Sequence, residues 1–97
     1  MKDKIDKEKI DKYLELTKTA LEKVEIVAPE PSHLTRIAQD FLEMAKSYYK
    51  DSLYFYNHED YVNAFAAVNY AHGWLDAGAR LGLFKVSKNH KLFTLTE

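Results

Sequence analysis

The fold is decided by one stretch of the sequence, residues 70–84, which reads YAHGWLDAGARLGLF. It holds the only tryptophan of the chain and all three of its glycines. Small and apolar residues recur in it at steps of three and four, which is the spacing of one face of an α-helix. The opposite face of this helix carries polar side chains and one glycine. The stretch therefore predicts a closely packed helix with one side available for contact.

The helix that contains this stretch is predicted to span residues 60–81. Asp60 is its expected N-cap, and Gly82 followed by Leu83 fits a C-terminal stop in which the glycine is left-handed. Because its buried side consists mainly of small residues, we expect this helix to lie close to its neighbours. The residues projected onto that side are Ala64, Ala67, Val68, Ala71, Trp74, Leu75, Gly78 and Leu81.

Two further amphipathic helices are predicted earlier in the chain, at about residues 5–27 and 33–57. Pro29 and Pro31 end the first, and Ser32 is the expected N-cap of the second. The polar link at residues 57–60 is so short that the second and third helices must be antiparallel neighbours. A tail at residues 83–97 is expected to form a short extension or hairpin that packs against the bundle through Phe84 and Phe93. We therefore predict a single all-α domain over residues 1–97, a three-helix up-and-down antiparallel bundle.

Composition and charge exclude several classes of function. The 97 residues include 14 basic and 15 acidic ones, finely interleaved to a net charge of −1, so no nucleic-acid partner is expected. The chain has no cysteine, which removes disulfides and thiolate chemistry. No segment has the roughly 20 apolar residues needed to span a bilayer, and the N-terminal residues lack the apolar run of a signal peptide. We expect a cytoplasmic protein without a membrane partner.

A candidate interaction face lies on the third helix, on the side opposite the small residues. Its members are Asn69, His72, Gly73, Asp76 and Arg80. In one interpretation this is a solvated face, with Asp76 and Arg80 as an i,i+4 ion pair shielded by His72. In another it is a contact for a protein, because Gly73 costs roughly 1 kcal/mol relative to alanine inside a helix and therefore implies a close neighbour. A third interpretation has His72 and Asp76 sharing a proton or a metal while Arg80 holds an anion.

Two smaller features complete the candidates. Most aromatic residues near the link between the second and third helices, Tyr48 among them, are predicted to be core by their spacing. Tyr54 is the exception, because it projects with the charged face of the second helix, and with Leu53 beside it we add it to the candidate interaction residues. His58, Glu59 and Asp60 are potential metal ligands, but a polar turn with a capping aspartate explains them fully. We predict no catalytic residue, no metal and no cofactor.

Three runs of the sequence resemble the archaeal Domain of Unknown Function 357 family. They are YKDSLYF at residues 49–55, DYVNAFAA at residues 60–67 and, above all, YAHGWLDAGARLGL at residues 70–83. The resemblance covers about residues 10–86. It implies a three-helix up-and-down bundle from an archaeon with no established activity, and it brings no catalytic residues to transfer.

The sequence leaves two hypotheses for function. The first is a non-enzymatic module that binds a protein partner or forms a homo-oligomer, in which substitutions of Tyr54 or Arg80 weaken association without unfolding the chain. The alternative is a small-ligand or nucleotide-related enzyme accessory. It requires Asn69, His72, Asp76 and Arg80 to converge at a concavity, with His72 oriented by Asp76.

Overall fold

The computed structural model describes residues 5–27 and 32–85, and these form a bundle of three α-helices. The helices are α1 (Lys7–Lys23), α2 (His33–Asn57) and α3 (Tyr61–Arg80). Helix α3 packs against both others and most extensively against α2. The predicted all-α three-helix fold is confirmed, with α2 matching its predicted bounds and α3 lying one residue inside them at each end. In the described part of the chain, no helix has the length and apolar character that crossing a bilayer requires.

Side-chain caps fix where each helix begins. The backbone N–H of Glu8 donates to the Asp6 carboxylate at 3.0 Å, and that of Thr35 donates to the Ser32 hydroxyl at 3.1 Å. The Asp60 carboxylate accepts a 3.2 Å hydrogen bond from the N–H of Asn63. Each oxygen satisfies a donor that has no partner within its own helix. The sequence predictions of Ser32 and Asp60 as N-caps are thereby confirmed.

The C-terminal end of α3 is a Schellman motif built on a glycine. Gly82 has φ +78°, a backbone conformation that residues with a Cβ rarely adopt. The N–H of Leu83 donates to Gly78 O at 2.9 Å, and the N–H of Gly82 donates to Ala79 O at 3.0 Å. The stop predicted from Gly82 is confirmed. Leu81, predicted to be buried, is instead 66% exposed, because it keeps helical φ and ψ and lies four positions after Ala77, on a side of α3 that the other helices do not cover.

Helix α1 is shorter than the predicted range of residues 5–27, because the chain turns extended after Lys23. Ile26 forms an antiparallel bridge with Phe84. The N–H of Val27 donates to Leu83 O at 2.9 Å, and the N–H of Lys85 donates to Glu25 O at 2.8 Å. β-branched residues at this point favour the extended conformation. The segment after α1 therefore pairs with the segment after α3 instead of continuing the helix.

The core consists of two clusters joined along α3. One cluster gathers around Phe84, which is 2% exposed and lies so close to Gly78 that a Cβ there would collide with its ring. The predicted packing of Phe84 against the bundle is confirmed. The other cluster is formed by Ile10, Leu14, Ala64 and Val68. The predictions for Pro29, Pro31 and the tail beyond Lys85, including Phe93, lie outside the described residues.

Candidate functional site

His72 does not belong to the solvated face on which the sequence projection placed it. Its side chain is 2% exposed, and its Nδ1 lies 3.3 Å from the hydroxyl of Thr17 on α1. The projection assumed that α3 buries one side only, whereas α1 and α2 cover two sides of it. The placement of His72 was therefore wrong, and the residue connects α3 to α1 in the core.

Asp76 and Arg80 remain together at the surface. The Arg80 Nε donates to both carboxylate oxygens of Asp76, at 3.1 Å each. The Asp76 side chain is 30% exposed and the Arg80 side chain is 68% exposed, so water and salt screen the pair. This is the i,i+4 pair that the sequence predicts, with a contribution of a few tenths of a kcal/mol to helix stability.

Asn69 binds its own helix, since its side-chain amide donates to Phe65 O at 2.9 Å. It does not join His72, which lies on the α1 side of α3, or the Asp76–Arg80 pair at the surface. The four residues that the ligand-binding hypothesis requires therefore do not converge on one concavity.

A groove of about 530 Å³ lies between α2 and α3. We call it the α2–α3 groove, and its lining residues are Tyr48, Ala66, Asn69, Tyr70, Gly73 and Trp74. The rings of Tyr48 and Tyr70 stack across the two helices with their centroids 5.2 Å apart. The Trp74 ring is held edge-on by Phe41, at 4.9 Å. The groove thus has aromatic walls that are fixed by contacts between the helices.

Gly73 leaves one side of the groove open. In the described part of the chain, a Cβ added there would meet nothing within 4 Å apart from its chain neighbours and its own helix backbone, so no packing contact among these residues requires a glycine at this position. Gly78, in contrast, lies so close to the Phe84 ring that a Cβ there would collide with it. Of the candidate residues from the sequence, Gly73 and Asn69 line the groove and the others do not.

The groove lies on a different side of α3 from the one that α1 covers. On the α1 side, Phe65 stacks on Tyr13 with centroids 5.3 Å apart, and His72 meets Thr17. Ala66 and Gly73 each follow one of these residues and are therefore rotated by about 100° around α3. Helix α1 fills one flank of the helix pair, and among the described residues no third helix fills the flank that carries the groove.

Sequence reasoning missed four of the lining residues, because it assigned Tyr48 and Trp74 to the core and did not separate Ala66 and Tyr70 from the rest of α3. A signal was present in the steps from Ala66 to Tyr70 and from Tyr70 to Gly73, which place all three on one helical face. Tyr70 is 61% exposed there.

Tyr54 lies outside the groove. It is 60% exposed, and its ring lies against that of His58 with centroids 4.2 Å apart. Tyr54 lies six positions after Tyr48, so it is rotated by about 240° around α2 relative to Tyr48 and away from α3. His58 itself is held at the helix end, with Nδ1 2.8 Å from Tyr54 O. Across the described ranges, no three potential metal ligands lie together.

Two tyrosines with altered titration lie on the α1 side. Burial raises the pKa of Tyr49, and the nearby carboxylates of Glu15 and Glu22 raise it further. The Tyr56 hydroxyl donates to the Asp11 carboxylate at 2.5 Å, and this hydrogen bond raises the pKa of Tyr56. The hydroxyls of Tyr49 and Tyr56 therefore stay protonated at neutral pH. Both tyrosines act as structural contacts between α2 and α1.

A family model described as "Protein of unknown function (DUF357)" matches residues 12–84 of the chain. The chain belongs to this family. The DUF357 match runs from the second turn of α1 to Phe84 and includes every residue of the α2–α3 groove. The resemblance noted in the sequence is thereby confirmed. No curated protein matches the chain, and no solved structure does.

Proposed function

We propose that this DUF357 protein is a non-enzymatic interaction module that binds a protein through the α2–α3 groove. The observation that carries the proposal is the exposed ring of Tyr70 beside the open position at Gly73. Aromatic rings that are held by one side and exposed on the other are typical of binding surfaces, because they bury much area for little loss of side-chain entropy. Folding alone gives no reason for a glycine at this place.

The composition of the groove favours binding over catalysis. Its walls are aromatic, its remaining positions are alanine and glycine, and its one amide side chain, Asn69, donates to its own helix. The acid and base candidates of the sequence are engaged elsewhere, His72 with Thr17 and Asp76 with Arg80. The groove thus offers apolar contact area with tyrosine hydroxyls at its walls, which suits recognition of a protein surface.

The shape of the groove favours a helical partner. Two packed antiparallel helices present a furrow into which the apolar side chains of a third helix fit at steps of three and four residues. On the other flank, α1 already binds the α2–α3 pair in this way. A helix in the groove would complete a four-helix arrangement. Because the charges of the chain are interleaved and attract no polyanion, we propose that the partner is a protein. We place this interaction in the cytoplasm.

The test is retention of a partner by tagged protein that is crosslinked in cells of its own organism, so that a reversible complex is also retained. We compare the wild type with Tyr70→Ser and with Tyr54→Ser as the matched control, since the two tyrosines are 61% and 60% exposed and only Tyr70 lines the groove. We expect a partner, which includes an untagged copy of the chain, to be retained by the wild type and Tyr54→Ser and lost by Tyr70→Ser. A partner retained equally by all three proteins, or lost only with Tyr54→Ser, would place the binding surface elsewhere.

A further inference from the structure

The exposed side of α3 carries large and small residues at a symmetrical spacing. The residues of this surface, which we call the α3 face, are Val62, Ala66, Tyr70, Gly73, Ala77 and Leu81. They follow one another at steps of four, four, three, four and four positions, so the spacing is the same from either end. Val62, Tyr70 and Leu81 are 67%, 61% and 66% exposed. Leu81 is the cap residue, and its helical φ and ψ keep it in register with the face.

We infer that the partner in the groove is a second copy of this chain, bound through an antiparallel pairing of the two α3 helices. The inference rests on the proposed function and names the partner. A twofold axis between positions 71 and 72 places Tyr70 opposite Gly73 of the second copy. The same axis places Ala66 opposite Ala77 and Val62 opposite Leu81. Each exposed residue of the face meets a residue of the same face, as an isologous interface requires.

The sizes of the paired residues fit. The Tyr70 ring is the largest projection on the face, and it meets the one position where a missing Cβ leaves open space. Two alanines face each other on either side of the centre, which allows the helix axes to approach to about 8 Å. At the ends, Val62 meets Leu81, two apolar side chains that water otherwise surrounds.

The charges at the two ends of α3 also match this direction. Glu59 and Asp60 stand at its N-terminal end, and Arg80 and Lys85 at its C-terminal end. An antiparallel pairing brings the acidic end of one copy beside the basic end of the other, whereas a parallel pairing brings like charges together. The helix dipoles favour the same antiparallel direction.

The size of the surface makes the dimer a reversible one. The twenty residues of α3 extend about 30 Å, and a helix is about 10 Å wide. The contact area between two such helices is therefore small for a stable protein interface. We therefore expect the fraction of dimer to rise as the protein concentration is raised.

Disulfide trapping tests the register, since the chain has no cysteine of its own. Ala66→Cys and Ala77→Cys are made as separate proteins with tags of different size, then mixed and oxidised. In the proposed dimer, Cα atoms opposite each other are near enough for a disulfide, but position 66 lies about 16 Å along the axis from position 66 of the second copy. We expect a mixed disulfide from the pair, at least tenfold more than from either protein alone. A mixture of Ala66→Cys and Lys50→Cys serves as the control, because Lys50 is exposed on α2 outside the groove.

Sedimentation equilibrium of the wild type gives a second measurement that needs no cysteine. The inference is overturned if the wild type remains monomeric as its concentration is raised, or if the pair forms no more disulfide than the control. If Tyr70→Ser still loses a different protein in the retention experiment, the groove binds that protein and only the second-copy inference fails. If Tyr70→Ser loses nothing and the wild type is monomeric, the proposed function fails as well.

Discussion

The three glycines of α3 and its cap differ in whether the fold requires them. Gly78 makes room for the Phe84 ring, and Gly82 adopts a left-handed conformation with φ +78°. Gly73 has neither reason, since it is helical and faces open space. The role of Gly82 follows from its position before Leu83 in the sequence. The contact between Gly78 and Phe84 could not be predicted, because it depends on where the chain turns after the helix.

Gly78→Ala should destabilise the fold although alanine is the better helix former. The added methyl group collides with the Phe84 ring, and forcing extra volume into a packed core costs about 1–3 kcal/mol. Urea denaturation measures this loss. The matched control is Gly73→Ala, which should stabilise by up to about 1 kcal/mol because nothing opposes the gain in helix propensity. Equal effects of the two substitutions would contradict the Phe84 contact.

At the scale of helices, α1 is tied to α3 through the core and to α2 through a tyrosine. Thr17 meets His72 between α1 and α3, and Tyr56 donates to Asp11 between α2 and α1. The helix positions followed from hydrophobic spacing and caps, and α2 agrees with its prediction at both ends. The side of α3 that α1 covers did not follow, because a single amphipathic pattern does not say which of two flanks a third helix occupies.

Thr17→Val should lower the free energy of unfolding by about 1–2 kcal/mol, since it removes a hydroxyl that contacts the buried His72 ring. Thr19→Val is the control on the same helix, where the hydroxyl donates only to Glu15 O of its own backbone. Chemical denaturation of both variants gives the comparison. A Thr17 variant no less stable than the Thr19 variant would show that the contact with His72 does not hold α1 to α3.

Tyr56→Phe should change how stability depends on alkaline pH. The hydrogen bond to Asp11 raises the folded pKa of Tyr56 above its unfolded value of about 10, so its stabilisation is complete below pH 10. It is lost as the pH rises through the folded pKa, because the phenolate can no longer donate to the carboxylate. Urea denaturation at pH 8 should find the wild type more stable than Tyr56→Phe, and this difference should decrease as the pH is raised above 10. A difference that does not decrease above pH 10 would rule out the hydroxyl as its source.

At the scale of the whole molecule, the α2–α3 pair has one flank filled by α1 and one flank open. The α2–α3 groove on the open flank combines Tyr48 and Trp74, which look like core residues in the sequence, with Tyr70 and Gly73, which do not. Such a surface depends on how three helices are arranged in space. The sequence indicated only Asn69 and Gly73 of this surface, since both were members of the candidate interaction face.

The self-association of Gly73→Gln tests whether the open position at Gly73 receives Tyr70 of a second copy. Glutamine is a better helix former than glycine, so at low protein concentration the variant should be more stable than the wild type by about 0.5 kcal/mol. Its side chain occupies the space that Tyr70 of the second copy would enter. Sedimentation equilibrium should therefore find a dissociation constant at least tenfold above that of the wild type, in a protein that is better folded. A more stable variant that associates as tightly as the wild type would contradict the claim that Gly73 is there to receive a partner.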